Sequence, residues 1–190
     1  MTSYDAVLCD LDGVLRLFDH SAQAGIEVRH GLAPGTLLKT AFEPDIFTPA
    51  LLGHTSRDDW MAAVAEVLGE EVAREFAEVP FRVDEDVRAL LAKAQERVPV
   101  VLVTNAMSNL EDDLDLLGLT HFADDVVSSA LVGVAKPDPR IYLIAAERAG
   151  VAPERCLFVD DRLENVEAAR ALGMAGVHYT QLSDLELALG

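Results

Sequence analysis

The chain reads as short runs of consecutive apolar residues set between longer stretches in which apolar residues recur every three or four positions. The runs "YDAVLCD" (4–10), "VPVVLVTN" (98–105), "RCLFVDD" (155–161) and "AGVHY" (175–179), with a weaker "DDVVSS" (124–129), have the near-continuous hydrophobicity of parallel strands covered on both faces. Between them, "VDEDVRALLAKAQER" (83–97) repeats Val87, Leu90, Leu91 and Ala94 at helical spacing, and "NLEDDLDLLG" (109–118) repeats Leu110, Leu114 and Leu117 up to a stop at Gly118. "DPRIYLIAAERAG" (138–150) and "LENVEAARALG" (163–173) behave alike, each ending at glycine. Strands alternating with helices predict an α/β domain with a parallel sheet and right-handed crossovers.

One interval breaks this rhythm. About 85 residues separate the first strand from "VPVVLVTN", where a parallel crossover needs only a dozen or more. The interval has helical signals: Pro34 opens "PGTLLKTAF", and "SRDDWMAAVAEVLG" offers Ser56 as N-cap, Asp59 at the capping-box position and Gly69 as stop. The reading is an inserted all-helical cap domain over residues 15–83, with residues 1–14 and 84–190 forming the core.

Composition narrows the function classes. At 190 residues, 51% hydrophobic and 25% charged, the chain suits one folded domain carrying a smaller insert. A formal charge of −18 argues against nucleic acid or an anionic membrane as partner, and an anionic small substrate would need local positive charge. No apolar run approaches the roughly 20 residues of a membrane span, and "MTSYDAVLCD" has no leader pattern, so a cytoplasmic location is expected. Cys9 and Cys156 each sit inside a strand-like run, as buried reduced thiols would, and the five histidines lack zinc-ligand spacing.

In open α/β sheets ligands bind beyond the carboxyl ends of the strands. Those ends carry Asp10 and Asp12, then Thr104 and Asn105, then Asp160 and Asp161, with Lys136 in "VGVAKPDPR" between the last two strands. "DLDG" alone also suits a strand followed by an Asx turn. Four aspartates on one face, however, call for a hard divalent cation such as Mg²⁺, and a hydroxyl, an amide and an ammonium opposite it suit the spare oxygens of a phosphoryl group. Phosphoryl transfer needs positioning, charge neutralisation, a nucleophile and a proton donor.

"DLDGV" (10–14), "VTN" (103–105), "KPDPRIY" (136–142) and "FVDDRLENV" (158–166) together resemble the four ordered motifs of the haloacid dehalogenase-like hydrolase superfamily, helical-cap subgroup. The resemblance implies a Rossmann-like doubly wound core and a Mg²⁺-dependent phosphatase acting on a small phosphorylated metabolite. By it, Asp10 would be the nucleophile that forms an aspartyl-phosphate, and Asp12 the general acid and base. Thr104, Asn105 and Lys136 would hold the phosphoryl group, with Lys136 also orienting Asp10. Asp10, the backbone carbonyl of Asp12 and Asp161 would bind the metal, with Asp160 beside them or sharing the site through water.

Val14 stands where many members have Thr, and the fourth motif lacks its usual preceding glycine, which leaves the division of metal duty between Asp160 and Asp161 open. Asn165 offers either support for this loop or a solvated helix position. A phosphomutase would use the same core residues, and a non-catalytic module could keep the fold; Asp12 disfavours a dehalogenase. In the insert, Arg16, His20, His54, Arg57 and Trp60 are the basic or aromatic residues that could face substrate. Arg57 reads equally as a first-turn surface charge, and Trp60 reads better as core packing among Met61, Val64 and Val67.

Overall fold

The computed structural model describes residues 4–190; residues 1–3, on which part of the leader reading rests, lie outside it. The chain runs from β1 (Ala6–Cys9) through β2 (Arg16–Phe18) into α1 (His20–Arg29), α2 (Thr36–Ala41), α3 (Pro44–Leu51), α4 (Arg57–Leu68) and α5 (Glu70–Ala77), and returns by β3 (Phe81–Val83). It continues with α6 (Glu85–Gln95), β4 (Val100–Thr104), α7 (Leu110–Leu116), β5 (Asp125–Ser128), α8 (Ser129–Val132) and α9 (Pro139–Ala149). β6 (Cys156–Asp160), α10 (Leu163–Ala171), β7 (Ala175–His178) and α11 (Leu182–Leu189) complete it.

β1, β4, β5, β6 and β7 form one parallel sheet in the order β5-β4-β1-β6-β7. Successive side chains of a strand face opposite ways, so each strand supplies two cores. Val7 and Cys9 face Val87, Leu91 and Ala94 of α6 and Leu185 and Leu189 of α11, while Ala6 and Leu8 share the other core with Ile141, Tyr142 and Ala145 of α9 and Val166 and Ala169 of α10. Full burial of side chains of this size contributes about 1.5–3 kcal/mol each, which is why the apolar runs admit no polar residue before their ends. Asp84 caps α6 by accepting from the Asp86 and Val87 amides, and Pro139 stands in the first turn of α9 after its cap Asp138.

The chain reverses direction across the sheet between β1 and β6, because β4 and β5 extend from one side of β1 and β6 and β7 from the other. That reversal opens a crevice at the carboxyl ends of β1 and β6. The thiols of Cys9 and Cys156, one on each of these strands, are buried and unpaired as disulfides. Among the described residues no helix is long and apolar enough to cross a membrane.

Residues between β2 and β3 are helical, as their signals predict, and pack around two clusters of their own. One surrounds Trp60, whose indole N–H donates to the Ala41 carbonyl at 2.7 Å, with Ala50, Val64 and Ala73 about it; the other gathers Ile26, Leu37, Val72 and Val79. Trp60 is therefore core packing. α4 begins with the expected box, Ser56 and Asp59 each accepting from the other's backbone amide. The α2 start differs from expectation: Gly35 is the N-cap and Thr36 the first helical residue, so Pro34 lies outside the helix.

The hairpin of β2 and β3, Arg16 opposite Val83 and Phe18 opposite Phe81, is absent from the sequence reading, three residues being too few to show a period. A second link joins insert and sheet. The Ser129 hydroxyl donates to the Leu51 carbonyl at 2.8 Å, and at Gly53 (φ +74°) a β-carbon would fall 2.2 Å from the Ala130 carbonyl oxygen.

Candidate active site

The buried run of β1 ends at Asp10, and the turn that follows is closed by backbone bonds from the Leu15 and Arg16 amides to the Leu11 carbonyl. Gly13 makes this turn possible. Its φ is +82°, and a β-carbon there would lie 2.3 Å from Asp161 Oδ2, so glycine leaves room for a carboxylate from the neighbouring strand end.

Asp10 is 5% exposed; its Oδ1 accepts from the Leu11 amide at 2.7 Å and pairs with Lys136 Nζ at 2.7 Å. The same ammonium meets Asp160 Oδ2 at 2.7 Å. Burial pushes the Asp10 carboxyl well above the usual carboxylate range, opposed by Lys136 and reinforced by Asp160. For Lys136, burial opposes the charge, yet the two carboxylates outweigh it and raise its pKa. The ammonium is thus a fixed cation between two acids.

Asp160 has few oxygen positions left. Besides Lys136 it accepts from the Arg162 amide at 2.8 Å and from Asn165 Nδ2 at 3.0 and 3.1 Å to its two oxygens. Asn165, 2% exposed, supports the loop and is not a solvated position. Asp161 is exposed, and its backbone carbonyl lies 2.9 Å from His178 Nε2. One carboxylate oxygen from each of Asp10, Asp160 and Asp161 falls within 4.8 Å of the others. An all-oxygen donor set, with a glycine where a side chain would strike Asp161, suits a hard divalent cation. Asp161 has the free oxygens for direct contact, and Asp160 is committed to the scaffold.

Thr104 ends β4, next to β1 in the sheet, and its hydroxyl is fully buried with no hydrogen-bond partner. A buried hydroxyl without a partner costs roughly 1–3 kcal/mol, which marks it as a group waiting for one. Asn105 differs from its expected place beside substrate. Its Nδ2 donates to the Lys136 carbonyl at 2.9 Å and its Oδ1 accepts from the Lys136 amide at 2.8 Å, so the amide holds the backbone that delivers the ammonium.

Asp12 is not one of the three clustered carboxylates and pairs with Arg16. Both of its oxygens are held by Arg16, Oδ1 by Nε and Oδ2 by Nη2 at 2.9 Å, and Arg16 Nη1 reaches Asp113 Oδ2 at 2.7 Å. Of the insert residues proposed from sequence, Arg16 alone touches one of the aspartates read as site residues, Asp12. Arg57 Nη2 donates to the Ala77 carbonyl at 3.4 Å, within the insert, His20 Nδ1 lies 2.9 Å from Gln23 Oε1, and His54 is exposed.

A buried carboxylate beside a fixed ammonium, an unpartnered hydroxyl, a cluster of three carboxylates and a further carboxylate paired with Arg16 are the kinds of group that binding and displacement at a phosphoryl centre call for. Comparison with known proteins places the chain beside hydrolases in sequence and in fold. The sequence model of the haloacid dehalogenase-like hydrolase family matches residues 4–173. The phosphatase MT3486 of Mycobacterium tuberculosis is 39% identical over 92 residues, 47% of this chain and 42% of that protein. A sesquiterpene phosphatase of Aspergillus oryzae is 27% identical over 189 residues, covering 94% of this chain and 91% of its own length. In fold, a HAD family enzyme of Bacteroides thetaiotaomicron, crystallised as a magnesium complex, superposes with a TM-score of 0.76 at 21% identity, over 94% of this chain and 93% of that one.

Proposed function

The chain belongs to the haloacid dehalogenase-like hydrolase family, and from that premise we propose that it is a Mg²⁺-dependent phosphatase that hydrolyses a small phosphomonoester through an aspartyl-phosphate. The observation that carries the reading is Asp10, buried at a strand end 2.7 Å from the Lys136 ammonium and within reach of the Asp160 and Asp161 carboxylates. The two named relatives, both phosphatases, favour the same chemistry.

In this reading Asp10 attacks phosphorus, forming the acyl-phosphate bond as the bond to the leaving oxygen breaks. Asp12 gives its proton to that oxygen. Asp12 then takes a proton from water as the water attacks phosphorus, releasing phosphate and restoring the Asp10 carboxylate. Lys136 holds Asp10 in line and screens the phosphoryl charge, and the Thr104 hydroxyl donates to a phosphoryl oxygen. Asp10, the Asp12 carbonyl and Asp161, with Asp160 behind them, would hold Mg²⁺, which would supply neutralisation of the clustered negative charge.

Residues 15–83 act as a cap over the core formed by 1–14 and 84–190, and this cap selects the substrate. A cytoplasmic location agrees with a small metabolite as substrate. Phosphate release from a panel of phosphomonoesters, with Mg²⁺ or with EDTA, tests the reading. Release should need Mg²⁺ and vanish in Asp10→Asn; release by that variant at the wild-type rate would refute the covalent route.

A further inference from the structure

Arg16 is a charged side chain that the proposed mechanism leaves without a task, yet it is among the most deeply buried in the molecule. It is 4% exposed and stands four residues after Asp12, where the turn closed by Gly13 folds the chain back on itself. Its guanidinium is fixed on every side. The Nε and Nη2 edge grips both Asp12 oxygens, Nη1 is anchored on Asp113 of α7, and the ring faces of Phe18 and Phe81 lie 5.1 and 5.5 Å from its central carbon.

A planar fork on a carboxylate fixes direction as well as position. Asp12 is the more exposed partner, its side chain 35% accessible against 5% for Arg16, so the carboxylate is open to solvent while the mount stays in the protein. The mount spans two bodies: Phe18 and Phe81 belong to the hairpin at the root of the insert, and Asp113 belongs to a helix packed on the sheet. Burial disfavours the guanidinium charge, but the Asp12 and Asp113 pairs outweigh it and keep the cation in place.

We infer that Arg16 is a positioning residue that aims the Asp12 carboxylate at the leaving oxygen of the substrate, with Asp113 and the Phe18–Phe81 pair as its fixed mount. The inference rests on the phosphatase reading given above. It distinguishes Arg16 from a residue that only stabilises the fold, because a loss transmitted through Asp12 depends on the leaving group. An alkoxide must be protonated to depart, whereas a nitrophenolate departs without help.

The test compares kcat/KM, which covers steps up to departure of the leaving group, for p-nitrophenyl phosphate and for the best alkyl phosphate of the panel, in wild type, Arg16→Gln and Asp113→Asn. For Arg16→Gln the alkyl ester should lose about 10²-fold, the scale of a proton-transfer contribution, and the nitrophenyl ester only a few-fold. Asp113→Asn, which keeps the fork but loosens the mount, should show the same inequality at smaller size. It carries the test if Arg16→Gln fails to fold. Equal losses on both esters, or no loss on either, would overturn the role of Arg16 alone. A wild type that cleaves neither ester overturns the phosphatase reading, and this inference with it.

Discussion

Replacing Lys136 by Met keeps nearly the same volume and deletes one charge, at a point where the structure permits the cost to be worked out. The ammonium sits 2.7 Å from both Asp10 and Asp160, and without it two buried carboxylates remain with oxygens within 4.8 Å of each other. At an effective dielectric of about 20, their repulsion at that distance is about 3.5 kcal/mol. Removing one partner of a buried ionic network costs about 3–5 kcal/mol in general. Asp160 keeps its Arg162 and Asn165 donors and Asp10 its Leu11 amide, so the lower end of that range applies. For a chain of this size about 3 kcal/mol lowers the melting temperature by about 6–12 °C. Far-UV circular dichroism melts at neutral pH in EDTA measure it directly. Acidification supplies the sign check. Asp10 has a folded-state pKa raised above its unfolded value, and losing Lys136 raises it further, so the penalty is present at neutral pH and fades as pH falls toward the unfolded value of about 4. A variant that melts with wild type at neutral pH, or whose deficit grows on acidification, would refute the account of Lys136 as the cation that makes the cluster tolerable.

Four further outcomes follow from the same geometry. Thr104→Val removes a buried hydroxyl that has no partner, so the free protein should melt at or above the wild-type temperature while inorganic phosphate binds more weakly by calorimetry. Asp161→Asn should abolish the rise in melting temperature that Mg²⁺ gives the wild type, a rise worth about 2.7 kcal/mol at a hundredfold excess over Kd; Asp160→Asn should instead lower the melting temperature in EDTA, because its carboxylate holds Lys136 and the following loop. Gly13→Ala places a methyl group against Asp161 Oδ2 at φ +82° and should cost about 1–3 kcal/mol of stability by urea titration, together with the Mg²⁺ response; a wild-type response would show that Asp161 is not held as described.

Much of this was legible in the sequence because burial on both faces leaves an unmistakable record. "AVLC", "VVLVT" and "CLFVD" have no room for alternation, so they read as central strands, and the polar residue that ends each one declares the crevice. Asp10, Thr104 and Asp160 were found that way. The role of Asn105 was not, since spacing tells that an amide ends a strand but not that Lys136, 31 residues on, takes both of its polar atoms. Arg16 reads only as a basic residue that could face substrate, because its partner Asp113 stands 97 residues away in the chain. Its hairpin, three residues a side, lies below the length at which a pattern forms. The insert was recognised from its length and from the caps of α4 rather than from any amphipathic stripe.

Cys9 and Cys156 give the sheet a built-in gauge of its own opening. Both thiols are enclosed by β1 and β6, and burial raises their pKa, that of Cys9 far up and that of Cys156 to about 11. Alkylating reagents attack the thiolate, so neither sulfur reacts while the strands stay paired. The rate at which iodoacetamide consumes Cys9, alkylation being slow beside reclosing, therefore reports the fraction of time the central strand is open, one residue before the carboxylate proposed to carry the phosphoryl group. The same chain that would be assayed for turnover thus reports, through its own two thiols, what fraction of it has an open framework.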